Sequence, residues 1–121
     1  RYALAARATS NAIWDWDLRS DGLTWNEGVH EVFGHPVGTV PDGIQWWYEA
    51  IHPDDRERVV SSIHAAIGRA SADEPPTWRE EYRFRRGDGG YACVIDRGFV
   101  ARDADGRAVR MIGAMADVTR E

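Results

Sequence analysis

From Ile13 to Leu18 apolar and acidic residues alternate without a break, so Trp14, Trp16 and Leu18 share one face of an extended segment and Asp15 and Asp17 share the other. This predicts a strand with one buried face. Arg19-Ser20-Asp21-Gly22 supplies turn formers, and Leu23-Thr24-Trp25 resumes the alternation, which makes a hairpin. The period then lengthens. Asn26 is placed to cap a short helix through Glu27 to Phe33 that Gly34 stops, residues 36–41 form a loop, and a second short helix over Asp42 to Ala50 turns Ile44, Trp47 and Tyr48 inward. His52-Pro53-Asp54-Asp55 opens a longer helix, since proline tolerates the first helical position and carboxylates favour the positive end of the dipole. Behind it Val59, Ile63, Ala66, Ile67 and Ala70 make one stripe, carrying the helix to about Arg69.

After a linker over residues 71–76 the period returns to two and stays there. Trp78, Glu80, Tyr82 and Phe84 share one face, and Arg79, Glu81, Arg83 and Arg85 the other. Gly87-Asp88-Gly89-Gly90 and Asp103-Ala104-Asp105-Gly106 are turn signals that separate this strand from a second over Tyr91 to Val100 and a third over Val109 to Val118. Two strands, several helices and three strands predict an α+β fold in which a five-stranded antiparallel sheet carries its helices on one face. Ahead of it, Leu4, Ala5 and Ala8 fall at helical spacing, so residues 1–11 read as an N-terminal helical cap on a domain spanning 12–121.

Composition narrows the function more than the fold. The chain's 121 residues suit one core. A net charge of −5 excludes a nucleic-acid footprint, which requires clustered cations. All fifteen basic residues are arginine, a bias that carries no chemistry by itself. No apolar run approaches the roughly 20 residues that cross a bilayer, and the first residues do not read as a secretory signal, so the expectation is a cytoplasmic domain without membrane contact. The single Cys93 permits no internal disulfide and no cysteine-based metal cluster.

Several segments together resemble the PAS family and its C-terminal PAC motif. They are Ile13-Trp14-Asp15-Trp16-Asp17-Leu18, Ile51-His52-Pro53-Asp54-Asp55-Arg56, Glu81-Tyr82-Arg83-Phe84-Arg85-Arg86-Gly87-Asp88-Gly89, and Asp105-Gly106-Arg107 before Ile112-Gly113-Ala114. The terminal Asp117-Val118-Thr119 is similar to the segment at which PAS domains hand over to an output linker. The resemblance implies the PAS fold and a sensory domain of a bacterial signalling protein, in the first place a sensor histidine kinase. Such a domain binds a small molecule or mediates homodimerisation, and relays its state through Asp117 and Thr119 to a kinase or cyclase domain in the same chain. The alternatives are a ligand-free dimerisation module of a diguanylate cyclase or phosphodiesterase, and a small cone-shaped α+β enzyme.

Six tryptophans are the unusual feature. Trp14, Trp16, Trp25 and Trp47, with Ile63, His64, Tyr82 and Met111, are the candidate lining of a pocket between sheet and helices, where indoles either stack on a flat ligand or fill the core. No cofactor is the first expectation, with flavin and haem as alternatives; for haem, His64 at the edge of the long helix's stripe is the candidate axial ligand. Cys93 lies outside the helical Asn-Cys-Arg motif of flavin-adduct photoreceptors and reads as a small buried apolar residue. His52, Asp54 and Asp55 read as helix-capping groups in preference to a metal site. Glu80, Asp96 and Arg97 on neighbouring strands suggest an exposed charged cluster, with Arg97 paired to Glu80 or Glu81. No catalytic motif is present: there is neither a glycine-rich phosphate loop nor a paired-histidine metal motif. An enzyme would instead need His52 or His64 beside a carboxylate in a deep pocket.

Overall fold

Strand β1 (Asn11–Asp17) turns Ala12, Trp14 and Trp16 into the core and leaves the alternate residues half-buried, as period-two patterning requires. The computed structural model of the chain describes residues 11–69 and 76–120; the N-terminal helix expected ahead of β1 lies outside them. The tight turn after β1 is fastened by the Asp17 and Gly22 backbones at 2.8 Å, and β2 (Leu23–Trp25) pairs back in the register Trp14 to Trp25 and Trp16 to Leu23.

Asn26 closes this hairpin onto helix α1 (Gly28–Glu31), its Oδ1 accepting from the Ile13 amide at 2.9 Å and the Gly28 amide at 3.0 Å. Helix α2 (Ile44–Ala50) starts two residues later than its sequence suggested. Asp42 is drawn away from the helix, because its carboxylate accepts from the Leu23 amide at 3.0 Å and so covers the edge of β2. Helix α3 (Pro53–Gly68) begins at the expected motif, with His52 Nδ1 accepting from the Asp54 amide at 3.0 Å, and it buries Val59, Ile63 and Ala66.

The last three strands, β3 (Thr77–Arg85), β4 (Tyr91–Arg102) and β5 (Ala108–Asp117), form an antiparallel meander. The strand order is β2-β1-β5-β4-β3, so the first hairpin docks against the last strand, from Asn11 opposite Ala116 to Asp17 opposite Arg110. Asp55 fastens α3 to the edge strand β3. Its carboxylate takes the Arg83 guanidinium through two bonds of 2.9 and 3.0 Å and the Arg83 amide at 3.0 Å, a set that holds the carboxyl at about 2, below its ordinary 3.8.

Two expectations are corrected by the parity of β4. Ala92, Val94, Asp96, Gly98 and Val100 face the core, so Cys93 and Arg97, one step out of phase, face outward. Cys93 is therefore exposed. The charged cluster does not form either: Asp96 points inward, Arg97 lies across from Arg79 on the outer face, Glu80 bonds Arg58 of α3 at 2.6 Å, and Glu81 has Arg79 at 3.7 Å.

Candidate functional site

Between the sheet and the helices, Trp14 and Trp16 of β1, Leu23 and Trp25 of β2, Ile44 and Trp47 of α2, and Ile63 of α3 enclose an apolar cavity. Its walls come from both layers because each strand and helix buries one apolar face and these faces meet here. The room left among them is about 10 Å³ for the centre of a water-sized sphere, roughly what one water needs and far below the several hundred Å³ of ordinary small-molecule pockets. The indoles fill their own cavity.

Five of the eight predicted lining residues meet there: Trp14, Trp16, Trp25, Trp47 and Ile63. Met111 is fully buried but sits in the sheet opposite Trp16, Tyr82 lies outside the cavity lining, and His64 is exposed, with Nε2 2.9 Å from the Tyr48 hydroxyl and its ring edge-on to Trp16. Neither haem nor flavin fits among these side chains as packed, and His64 is not among the residues that line the space. His52, like His64, is absent from the cavity walls, so neither histidine is brought beside a carboxylate within this cavity. Among the described residues no group of three histidine, cysteine, aspartate or glutamate side chains is placed to hold a metal ion.

Behind the cavity lies a polar chain that sequence reasoning missed. Asp96 is fully buried; its Oδ1 accepts from Trp14 Nε1 at 2.8 Å and its Oδ2 from the Tyr82 hydroxyl at 2.7 Å. The Tyr82 oxygen in turn accepts from Trp47 Nε1 at 2.8 Å. Burial pushes the Asp96 carboxyl up to about 7, although Tyr82, Trp14 and the Arg97 amide all favour its ionised form. Burial and the neighbouring Asp96 carboxylate raise the Tyr82 hydroxyl well above its ordinary range. The sequence signal was the parity of β4, which puts Asp96 on the same face as Val94 and Val100.

A second cluster ties the ends of the last strands together. Arg86, after β3, donates to Asp117 Oδ2 at 2.8 Å, to Thr119 Oγ1 at 3.3 Å and to the Val32 carbonyl at 3.4 Å. Thr119 also accepts from the Cys93 amide at 2.8 Å and donates its own amide to Asp117 at 3.0 Å. Asp117 and Thr119, singled out from sequence, thus converge on one arginine that reaches the end of α1. The Asp117 carboxyl is held below its ordinary value: burial acts against ionisation, and the Thr119 and Arg86 bonds outweigh it.

A profile of the PAS fold matches residues 22–115. The chain belongs to the PAS family. This PAS domain is a sensor module homologous to those of histidine kinases and diguanylate cyclases. It is similar to the crystal structure of a sensory box histidine kinase/response regulator from Burkholderia thailandensis, at 30% identity and a TM-score of 0.77 over 98% of this chain and 85% of that one. The N-terminal domain of a diguanylate cyclase with PAS/PAC sensor from Marinobacter aquaeolei shares the fold, with a TM-score of 0.78 at 23% identity over 90% of this chain and 95% of that one. Among curated proteins, the non-motile and phage-resistance protein of Caulobacter vibrioides is 32% identical over the whole of this chain and 14% of its own length. The probable diguanylate cyclase DgcE of Escherichia coli is 26% identical over 98% of this chain. The chain spans about a tenth of that cyclase's length. The α+β architecture read from the sequence, five antiparallel strands with helices on one face, is that of the PAS fold. Among the described residues no helix is long and apolar enough to cross a membrane.

Proposed function

We propose that this PAS domain is the cytoplasmic regulatory module of a sensor histidine kinase, and that it relays the packing state of its aromatic cluster to a C-terminal output domain through Asp117 and Thr119. The observation that carries the reading is Arg86. One guanidinium joins the end of α1, the last residue of β5 and Thr119 beyond it, so a shift of the helices on the sheet changes how the chain leaves the domain. The histidine kinase relative, aligned over nearly the whole domain, supports the choice of output. The module works as a homodimer. Phe99, opposite Ile112 on the outer sheet face, is 54% exposed and offers apolar area to a second copy.

The filled cavity favours a second reading, a ligand-free dimerisation module of a diguanylate cyclase or phosphodiesterase. Both readings share the relay and differ in input and output. Asp117→Ala in the full-length parent separates the relay from the fold: output should stop responding to the stimulus while the domain's melting temperature falls only slightly, since one partly exposed ion pair is worth about 1 kcal/mol. Normal regulation in that variant would rule the relay out. Phosphotransfer to the parent's own histidine, against cyclic dinucleotide synthesis, decides between the two outputs.

A further inference from the structure

Asp96 carries more chemistry than packing requires. A carboxylate in the middle of a sheet, fully buried and, among the described residues, with no cation bonded to it, is rare among core residues, because burial of an unpaired charge is costly. Its bonds divide unequally. The Trp14 indole can only donate, whereas the Tyr82 hydroxyl can donate or accept. A proton arriving on Asp96 therefore has one place to go among these partners, Oδ2, from which it donates to the Tyr82 oxygen.

We infer that Asp96 is a proton-binding site and that its protonation reverses the hydrogen bond to Tyr82, loosening the tether by which Trp47 holds α2 to the sheet. In the ionised state three groups form one polarised chain, Trp47 N–H to Tyr82 O–H to the Asp96 carboxylate, with both donors pointing toward the charge. When water delivers a proton to Oδ2 the charge disappears, the Tyr82 oxygen receives two donors, and its own hydrogen loses its acceptor. Trp14 and Trp47 also wall the cavity, so the proton state is communicated to the aromatic cluster and to β1. The ligand of this sensor is then the proton. The inference deepens the sensor reading above and takes the relay from it, but the proton site itself does not depend on the relay.

The charged groups around Asp96 are held by partners of their own. From β3 come Tyr82 and Glu80, which stands directly opposite Asp96 in the ladder and has its carboxylate paired with Arg58 of α3. β5 presents Met115 opposite Asp96, and farther along Asp117, held by Arg86. β1 and α2 contribute the uncharged Trp14 and Trp47. On α3, His64 is bonded to Tyr48 on the exposed side. His35 is another buried titratable group. It packs against Trp46, with ring centroids 4.9 Å apart, and burial lowers it from its ordinary 6.5.

The test is NMR on this chain with labelled aspartate carboxyls and indole nitrogens, titrated from about pH 3 to 9. The Asp96 carboxyl carbon should titrate with a midpoint near 7, and the Trp14 and Trp47 indole N–H resonances should move at that same midpoint. The Trp78 indole, bonded to Ser62, should not. Tyr82→Phe should raise the midpoint by about one unit, since it removes a donor to the ionised form, and should detach Trp47 from the transition while Trp14 still follows. Asp96→Asn should abolish both indole shifts. Should that variant fail to fold, the wild-type and Tyr82→Phe titrations still decide. An Asp96 carbon that titrates below about pH 5 like an ordinary carboxyl, or indoles that ignore its midpoint, would overturn the proposal. The same result beside an Asp117→Ala variant that uncouples output would remove the proton and leave the relay standing.

Discussion

Gly113 of β5 is the position where the packing of the aromatic cluster is most sharply testable. A Cβ built there would lie 2.1 Å from Cζ2 and 2.3 Å from Cε2 of Trp14, and 2.4 Å from the Arg97 carbonyl of the paired strand β4. None of these can yield cheaply. The carbonyl belongs to the sheet, and the indole is anchored by its 2.8 Å bond to Asp96, so moving the ring by about an ångström to admit a methyl group breaks that bond. The substitution Gly113→Ala then costs about 1–3 kcal/mol for overpacking and a further 1–3 kcal/mol for the buried acceptor left short of a donor. Against this stands about 0.5–1 kcal/mol gained by replacing glycine in a strand. The net loss of about 1–5 kcal/mol is a large part of a small domain's total stability. Urea unfolding followed by tryptophan fluorescence measures it, with near-UV circular dichroism reporting the displaced indole. Gly98→Ala is the internal comparison. Its Cβ would meet the end of the Met111 side chain at 2.8 Å, which a flexible methionine relieves, and Trp14 at 2.9 Å, a milder overlap than the 2.1 Å at Gly113 and with no backbone carbonyl among its nearest neighbours, so its cost should be the smaller. A Gly113→Ala protein within about 1 kcal/mol of wild type, or less affected than Gly98→Ala, would refute this account of how Trp14 is held.

Other consequences follow from the same contacts. Trp16, 2% exposed, should cost about 3–5 kcal/mol when cut to alanine, measured by the shift of the urea midpoint. Asp55, with its folded pKa lowered to about 2, contributes stability that is complete above its unfolded value of 3.8 and lost as pH falls toward 2. Wild type should therefore lose about 2 kcal/mol relative to Asp55→Asn across that acid window. Asp96 acts in the opposite sense: the folded state keeps a proton that the unfolded chain releases, so stability declines as pH rises from about 4 to about 7 and levels off above. The difference between wild type and Asp96→Asn isolates this slope from that of His35, whose lowered pKa removes stability as pH falls below 6.5. Gly68, the last residue of α3, has open space around its Cβ position, and Gly68→Ala should raise the melting temperature slightly, by up to about 1 kcal/mol of added stability.

The strands were legible in the sequence because a sheet buried on one face forces period two, and Trp14, Trp16, Trp78, Tyr82 and Phe84 all obey it. The α3 start was legible too, since the His52-Pro53-Asp54-Asp55 pattern acts locally. The start of α2 was not, because Asp42 was claimed by Leu23, nineteen residues back, and no local preference announces such a bond. The four indoles of the aromatic site could be read for the same reason as the strands and helix faces that carry them. Its depth could not, because whether indoles enclose a space or fill it depends on how sheet and helices approach. Asp96 was misplaced for a different reason. Its charge argued for the surface while its parity argued for the core, and parity won because Trp14 and Tyr82 supply donors there. Cys93 follows from that same parity.

The pairing of the first strand with the last has a mechanical consequence. Asn11 lies opposite Ala116, so the chain enters and leaves the sheet at the same end, along neighbouring antiparallel strands. Tension that drew the two ends apart would load the β1–β5 ladder one rung at a time, as a zipper, instead of shearing all its rungs together. Force would pass Ala12 and Ile13 before it reached Trp14 opposite Gly113. A modest pull could therefore open the outermost pairs and leave the aromatic cluster closed, while a stronger one would strip Trp14 from Asp96.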